Sequence, residues 1–278
     1  MTQNVLTPKK AAPRTARRRR STGRAGARTA VATSVLTFNI SVAAEPRAKR
    51  ILRWLRSRGD EVIVLSEISA GMGTELIRAG LEADGYATLG SVEGRERGVM
   101  IASKLPFARP LEVRSVSVPA RAHGVILDTS PQLAVLGIYV PSRDRSPEKV
   151  THKERFMHSL LGALEALPRK TREALLLLGD YNAVARDHVP ALPGFFPYEY
   201  EFHERLHELE LAPAHELRPH GAAHPHSWIG RTGLGYLYDY AHVGKEVGER
   251  LVSCRYLHSP RNQRLSDHAA LAVRIELD

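Results

Sequence analysis

The sequence predicts a layered α/β sandwich, because short apolar strands alternate with amphipathic helices and several strands are joined only by short turns. The run over 34–40 is apolar and β-branched, and it is followed by an amphipathic helix and a second apolar strand. In the middle of the chain, three apolar runs are separated by short turns, which indicates antiparallel pairing. Two mixed sheets with helices on their outer faces account for both patterns.

Each element follows from its own local signal. Pro46 suits the first turn of a helix, and Asp84-Gly85 and Pro168 are stop signals for two others. The run before Asp180 is apolar on both faces, as expected of a central strand. The patterns predict strands over 34–40, 61–67, 98–102, 123–128, 132–140, 174–180, 237–243, 251–256 and 269–277, and helices over 45–58, 73–83, 147–167 and 198–209.

The positive charge belongs to the first residues of the chain. The 278 residues carry a net charge of +10, with a sequence pI of about 9.9. Residues 1–30 hold nine Lys or Arg and no acid, so the remainder has 31 basic against 30 acidic residues. We therefore predict a disordered basic tail over 1–33 and one folded domain over 34–278. The tail could bind phosphate backbones, or it could be a solvated extension, the result of a wrongly chosen start codon, or a transit peptide.

The sequence predicts a soluble, cytoplasmic monomer that is not secreted. The run Arg17–Arg20 before the mildly apolar 30–44 imitates a signal peptide, but cleavage there would remove Asn39, which the predicted site needs. The single cysteine, Cys254, excludes an internal disulfide and a cysteine-rich zinc site, and it fits a small core residue. The longest apolar runs are shorter than the roughly 18 residues that span a bilayer.

Polar side chains follow several of the predicted strands. Asn39, Glu67 and Asp180 each stand at the end of an apolar run, and Asp239 and Asp267-His268 flank the last strands. Asp180-Tyr181-Asn182 places two polar side chains on one face of an extended segment. Buried charges at strand ends are costly unless they serve one another or a cation, and oxygen ligands suit Mg²⁺. Each signal alone is typical of a plain turn, so the prediction rests on the ordered set.

That set resembles the endonuclease/exonuclease/phosphatase superfamily. The segments that carry the resemblance are Thr37–Ile40, Leu65–Glu67, Gly98–Lys104, Gly137–Pro141, Leu178–Asn182, Tyr238–Tyr240 and Leu265–His268. Residues 201–211, 226–228 and 235–239 are most similar to the exonuclease III and apurinic/apyrimidinic endonuclease branch. The resemblance implies a deoxyribonuclease I-like four-layer sandwich over 34–278. Three positions differ from the family pattern: Ser41, Ser66 and Leu237.

The resemblance also implies a role for each matching residue. Glu67 would be the principal ligand of Mg²⁺, or alternatively Mn²⁺, with Asn39 and Asp267 beside it. Asp180 would orient or deprotonate the attacking water with the help of Asn182. His268 would contact the scissile phosphate and be oriented by Asp239, while Tyr139 would reach the phosphate or the leaving group.

Three further residues are candidates for substrate binding. Trp228 fits a wedge against a nucleic-acid strand and equally fits core packing beside Ile229. Arg143 and Arg145 follow the Tyr139 strand, where they could contact phosphates or line a solvated loop. The spacing of four further histidines matches no zinc template and predicts a surface loop instead; they are His215, His220, His224 and His226.

The sequence therefore predicts a magnesium-dependent hydrolase of DNA phosphodiester bonds, acting on duplex DNA as an abasic-site endonuclease, a 3′–5′ exonuclease or both. The alternative is a phosphodiesterase or phosphatase of the same fold that acts on RNA, nucleotides or a small phosphorylated molecule. The near-neutral charge outside the tail keeps this alternative open.

Deleting residues 1–30 tests whether the basic tail binds nucleic acid. If the tail neutralises phosphates, its loss should preserve turnover and reduce the slope of log affinity against log salt, because fewer counterions are released. Fluorescence anisotropy of a labelled duplex at several salt concentrations measures this slope. A slope equal to that of the full chain would show that the tail does not act as a binding arm.

Overall fold

The computed structural model describes residues 1, 31–90, 92–221 and 224–277. The predicted basic tail therefore lies almost wholly outside the described residues. Within the described ranges, the strands are β1 Val31–Asn39, β2 Val62–Ile68, β3 Ala87–Leu89, β4 Gly98–Ser103, β5 Phe107–Pro110, β6 Ala122–Leu127, β7 Leu133–Tyr139, β8 Leu175–Asp180, β9 Ala212–Pro213, β10 Trp228–Ile229, β11 Gly235–Tyr236, β12 Asp239–Val243, β13 Leu251–Leu257 and β14 Ala270–Leu277. The helices are α1 Glu45–Arg58, α2 Met72–Ala83, α3 Pro147–Glu165, α4 Arg169–Glu173, α5 Pro197–Glu208, α6 Ala214–Leu217, α7 Lys245–Glu249 and α8 Ser259–Asn262, with a 3₁₀ turn over Pro119–Arg121.

The strands form two mixed six-stranded sheets and a small hairpin. The order in the first sheet is β13-β14-β1-β2-β4-β3, and the order in the second is β5-β6-β7-β8-β12-β9. Each sheet has one parallel pair near its centre. In the first sheet it is β1 with β2, with α1 between them in the chain. In the second sheet it is β7 with β8, with α3 between them. The other pairs are antiparallel, including the predicted β6–β7 pair. The short β10 and β11 pair with each other, and Trp228 of β10 also forms a single bridge to His268.

Three apolar clusters divide the protein into four layers. One lies between α1, α2 and the first sheet and includes Phe38 and Ile51. Another lies between the two sheets and includes Val64 and Val135. The last lies between the second sheet and the helices α3 and α5 and includes Phe156 and Phe202. This arrangement confirms the predicted four-layer α/β sandwich, and Cys254 is a buried core residue as expected. No helix in the described ranges is long and apolar enough to cross a bilayer.

The first strand begins earlier than its pattern predicted. The prediction began at Ser34, whereas β1 starts at Val31, because Val31, Ala32 and Thr33 pair with the last strand opposite Leu277, Glu276 and Ile275. Ladder hydrogen bonds to a distant strand can extend an element beyond its apolar run. The short edge strands β3 and β5 were also not predicted, for the same reason.

Gly179 allows β8 to approach β7 closely. Its φ is +149°, and a Cβ added there would lie 1.9 Å from the carbonyl oxygen of Ile138 in the neighbouring strand. Any side chain at this position would collide with backbone that cannot yield without breaking the β7–β8 ladder. The close contact brings the end of β8 against the end of β7.

We expect Gly179→Ala to lower the free energy of unfolding by more than about 1 kcal/mol, because both the backbone angle and the space oppose a Cβ. Gly162→Ala is a matched control: a Cβ there meets nothing within 4 Å. Because Gly162 lies inside α3, this change should stabilise the protein by about 0.5–1 kcal/mol. Urea unfolding of both variants measures the difference. Equal midpoints would contradict the steric account.

Candidate active site

The predicted site residues meet at one edge of the two sheets. The parallel strands β1, β2, β7 and β8 all end there, and the antiparallel strands β12 and β14 begin there. Asp180 is opposite Tyr139 on one side and Asp239 on the other, in register across the second sheet. Asn39 lies at the end of β1, opposite Ser66 of β2. The strand order thus gathers side chains that are far apart in the sequence.

Asp180 is almost completely buried and is held by amide donors. Its Oδ2 accepts a hydrogen bond from Asn39 Nδ2 at 2.8 Å, and its Oδ1 accepts one from the main-chain N–H of Asn182, also at 2.8 Å. Asn182 has a left-handed φ of 47° and anchors its side chain on the carbonyl oxygen of Val140 at 2.9 Å. Burial raises the pKa of Asp180 to about 7, although the charge of His268 opposes this rise.

Asp239 and His268 form a buried pair across the two sheets. His268 Nδ1 donates to Asp239 Oδ2 at 2.7 Å. Burial alone would lower the pKa of His268, but the charge of Asp239 and its hydrogen bond, together with Asp180 and Asp267, raise that pKa to about 10. The imidazole is therefore protonated at neutral pH. The segment before Asp239 is fixed by the buried Ser227, whose Oγ accepts the main-chain N–H groups of Tyr238 and Asp239 at 3.0 Å.

Glu67 is presented by a bulge in β2. Ser66 pairs with Val99 and Ile68 pairs with Gly98, so Glu67 is an extra residue without an opposite partner, and its φ is 57°. A bulge redirects one side chain out of the regular alternation of the strand. Burial raises the pKa of Glu67, and the charge of Asp267 acts in the same direction. The Asn39 amide and the His268 charge oppose the rise.

Asp267 lies exposed beside the hairpin of β10 and β11. Its Oδ2 accepts a hydrogen bond from Trp228 Nε1 at 2.9 Å. Burial opposes ionisation, but the charge of His268 and the Trp228 donor lower the pKa of Asp267 overall. Trp228 itself is half-buried, and its main chain bridges to His268. Trp228 is thus held beside the carboxylates by its indole N–H and by its main chain.

Tyr139 is buried under a guanidinium group. Only 4% of Tyr139 is exposed, and the Arg121 side chain stacks on its ring at 4.6 Å from the centroid. Arg121 is itself oriented by an ion pair with Glu96 at 2.7 Å. Burial raises the pKa of Tyr139, with the charges of Glu67 and Asp180 acting in the same direction, so the phenol keeps its proton at neutral pH.

The two predicted arginines lie farther along the loop after β7. The side chain of Arg143 is mostly buried, ion-paired to Glu199, and donates to the carbonyl oxygen of Gly194 at 3.1 Å. Arg145 is exposed, with its guanidinium near Gly194. The prediction that both bind substrate stays a prediction, and Arg145 is the one whose side chain faces solvent.

Two groups of side chains at this edge could hold a metal ion. Asp180, Asp239 and His268 bring three ligand atoms within 4.8 Å of one another. Glu67 and Asp267 are a second pair, and in the described part of the chain neither forms an ion pair. In the first group, His268 Nδ1 donates to Asp239 Oδ2, and the buried Oδ1 of Asp239 has no hydrogen-bond partner among the described residues. Both groups offer carboxylate oxygens, the ligands that Mg²⁺ prefers. In the second pair, the charge of Asp267 raises the pKa of Glu67. Asn39 lies beside Glu67 and could complete this pair.

Sequence reasoning missed several residues around the site. Tyr236 and Tyr238 pack with Trp228, with ring centroids 5.3 to 5.7 Å apart, and form an aromatic cluster beside Asp267. The sequence did contain a signal for this cluster, because aromatic residues alternate along 236–240, just before and after Asp239. Arg121 gave no such signal, because it reaches Tyr139 from a loop outside every predicted element.

A cavity of about 870 Å³ lies behind this edge, beside the second sheet. Seven of the thirteen histidines line it, including three of the four that the sequence placed in a surface loop; the seven are His188, His203, His207, His215, His220, His224 and His242. Burial lowers the pKa of His203 and of His215 to about 4, and it lowers the pKa of His242 as well. Tyr181 donates to or accepts from His242 Nδ1 at 3.0 Å. The inner wall of the cavity therefore carries neutral imidazoles at physiological pH.

Comparison with known proteins identifies one family and a set of related folds. The profile of the Endonuclease/Exonuclease/phosphatase family matches residues 36–269. The 3′ phosphatase NExo from Neisseria, solved with a product DNA hairpin, is 20% identical, with 88% of this chain and 99% of that chain covered and a TM-score of 0.73. An AP endonuclease from Archaeoglobus fulgidus is 18% identical, with coverages of 87% and 99% and a TM-score of 0.69. The AP endonuclease LMAP from Leishmania major is 18% identical, with 88% of each chain covered and a TM-score of 0.68. A search of curated protein sequences found no match.

The buried histidines of the cavity predict a loss of stability in mild acid. Between the ordinary histidine pKa of 6.5 and the folded pKa of about 4, the unfolded chain binds protons that His203 and His215 in the folded protein do not. Their contribution to stability is therefore complete above pH 6.5 and falls as the pH is lowered towards 4, by on the order of 3 kcal/mol per histidine.

His203→Phe removes one of these groups and keeps an aromatic ring in the core. We expect its free energy of unfolding to fall less steeply than that of the wild type between pH 7 and pH 4.5. Urea unfolding at a series of pH values measures both slopes. If the two slopes are the same, His203 does not contribute to the pH dependence.

Proposed function

The chain belongs to the endonuclease/exonuclease/phosphatase family, and we propose that it is a metal-dependent phosphodiesterase that hydrolyses DNA at abasic sites, at 3′ ends or at both. The observation that carries this proposal is the hydrogen-bonded group at the shared edge of the sheets, where Asp180 faces Asp239 and His268 contributes a positive charge. Attack of water on a phosphodiester needs a base, a cation for the phosphate oxygens and support for the leaving group.

Asp180 is the proposed base for the attacking water. Its raised pKa makes the carboxylate a competent proton acceptor near neutral pH, which a carboxylate of ordinary pKa would not be. The amides of Asn39 and Asn182 fix both oxygens and so limit the directions from which a water can approach. Asn182 is also close enough for its side chain to orient that water.

His268 is the proposed contact for a non-bridging phosphate oxygen. Its Nδ1 is used by Asp239, so Nε2 is the nitrogen that remains for the substrate. An imidazolium donor is worth more here than in water, because the site is largely buried and negative charge grows on the phosphate in the transition state. Asp239 holds the ring in place and stabilises its charge, as the acid does in other Asp-His pairs.

Tyr139 is the proposed donor to the phosphate or to the leaving oxygen. Because the phenol keeps its proton, it can donate a hydrogen bond to an oxygen that becomes negative. The stacked Arg121 places a second positive charge behind the ring. Both features favour a phosphate in front of Tyr139.

Glu67 and Asp267, with Asn39 beside them, are the proposed ligands of Mg²⁺ or Mn²⁺. When bound there, a divalent ion would neutralise a phosphate oxygen and so favour attack. The supporting observation is that Glu67 and Asp267 take no part in the His268–Asp239 hydrogen bond and form no ion pair in the described part of the chain, and that the bulge aims Glu67. The indole of Trp228 orients Asp267 from the outer side.

The aromatic cluster of Trp228, Tyr236 and Tyr238 supports a nucleic acid as the substrate. Flat side chains next to a phosphate site stack on bases or sugars without requiring a particular sequence. Exposed Arg145 could add a phosphate contact on the other side of the site. The structural neighbours include one solved with a DNA hairpin and two AP endonucleases, which agrees with this choice.

A phosphodiesterase for RNA, nucleotides or a small phosphorylated molecule is the second candidate. Leu237, one of the three departures from the family pattern, is buried and lines the cavity, so it offers no charge to a DNA backbone. The near-neutral charge outside the first 30 residues points the same way. The substrate is therefore the part of the proposal that experiment must decide.

Cleavage of an abasic duplex in the presence of Mg²⁺ tests the proposal. We expect turnover that stops with EDTA and that falls on the order of 10²- to 10⁴-fold in Asp180→Asn, because the variant lacks the base. Asp128→Asn is the control: this exposed carboxylate follows β6 at the opposite edge of the second sheet and should leave the rate unchanged.

The same enzyme preparation should be tested on 3′-phosphorylated nicked DNA, single-stranded RNA and bis(p-nitrophenyl) phosphate. If the enzyme cleaves only RNA or only the small diester and neither DNA substrate, the second candidate function is the correct one. Turnover that persists in EDTA, or in Asp180→Asn, would contradict the assignment of the metal or of the base.

A further inference from the structure

Lys153 is a buried cation directly behind the candidate active site. It lies on α3, only 1% of its surface is exposed, and its Nζ is 2.6 Å from two acceptors. One acceptor is the carboxylate of Glu199 on α5, and the other is the main-chain carbonyl oxygen of Asn182. A lysine is almost never fully buried unless both its charge and its donors are used.

Glu199 already has a second cation. Arg143 donates to its Oε2 at 3.0 Å through Nε, and the main-chain N–H of Phe196 donates to the same oxygen at 2.7 Å. One carboxylate is thus shared by two positive side chains, and burial lowers the pKa of Lys153 while the charges of Glu199 and Asp180 oppose that fall. Neutralising Glu199 requires only one of the two cations. The second therefore needs a different explanation.

The difference between the two cations is the residue that each one reaches. Arg143 donates to Gly194 and stacks on Phe196, both of which belong to the loop before α5. Lys153 donates to Asn182, whose main-chain N–H in turn binds the proposed base Asp180. Asn182 has the left-handed φ of 47°, a conformation that costs energy for a residue other than glycine and persists only when neighbouring contacts hold it.

We propose that Lys153 is a positioning residue of the active site, which holds the carbonyl of Asn182 so that the N–H and side-chain amide of Asn182 stay directed at Asp180 and the attacking water. The proposal rests on the proposed phosphodiesterase function. Lys153 touches no reacting atom. It acts through one residue, Asn182, whose carbonyl oxygen it holds and whose N–H binds Asp180, with Glu199 as the anion that allows its charge to be buried.

The test compares Lys153→Met with Arg143→Met. Each substitution removes one cation from Glu199 and leaves the other in place, so each should reduce the thermal midpoint by a similar amount. Only Lys153→Met removes the donor to Asn182. For abasic duplex DNA we expect Lys153→Met to lower kcat on the order of 10²-fold with KM unchanged, because small misplacement of a reacting group costs about that much. Arg143→Met should lower kcat far less; because Arg143 is also a predicted substrate contact, loss of such a contact would appear as a higher KM, which is measured separately from kcat.

A second measurement is independent of turnover. The main-chain and side-chain amide resonances of Asn182 in ¹⁵N-labelled protein should move in Lys153→Met and remain near their wild-type positions in Arg143→Met. Equal losses of kcat in the two variants, in proportion to their loss of stability, would show that Lys153 only supports the fold. If the wild type cleaves none of the phosphodiesters, the proposed function fails, and the Asn182 resonances alone decide the positioning role. Unchanged resonances in Lys153→Met would then overturn it.

Discussion

The architecture of the site depends on two hydrogen bonds that join the sheets at their shared edge. Asn39 of the first sheet donates to Asp180 of the second, and His268 beside the first sheet donates to Asp239 of the second. Both carboxylates are buried, and a buried carboxylate without a donor or cation is strongly destabilising. The two sheets must therefore keep this relative position, because otherwise a buried carboxylate would lose its hydrogen-bond donor. The same contacts that hold the layers together at this edge arrange the groups for chemistry.

The polar residues around these bonds have distinct electrostatic environments. Burial makes Asp180 more basic, whereas Asp239 keeps His268 protonated, so an acceptor and a cationic donor stand side by side at neutral pH. Burial raises the pKa of Glu67, whereas the charge of His268 and the Trp228 donor lower that of Asp267. Groups whose pKa values are moved in opposite directions by their surroundings are typical of hydrolytic sites. The shared edge of the sheets thus holds an acceptor, a cationic donor and two further carboxylates within a few side chains.

The fold and the polar residues at the strand ends could be predicted from the sequence, because apolar runs and their terminal acids are local features. Asp180 and Asn182 belong to one short segment, and Glu67 stands at the end of an apolar run. The bulge that aims Glu67 could not be predicted, since it depends on the register of β2 against β4. The burial of Lys153 could not be predicted either, because its partner Glu199 lies 46 residues away. Contacts between residues that are far apart in the chain leave no recognisable pattern in the local sequence.

The attachment of the β10–β11 hairpin has an evolutionary consequence. Ser227 fixes its base through three main-chain contacts: its Oγ accepts from Tyr238 and Asp239, and its carbonyl oxygen accepts from Ala269. The tip over 230–234 is closed by its own main-chain hydrogen bond between Gly230 and Leu234. Mutations and insertions at the tip can therefore accumulate without moving Asp239 or His268. As the proposed stacking surface for substrate, the hairpin therefore has a tip whose sequence can change with little effect on the positions of the acid and the imidazole.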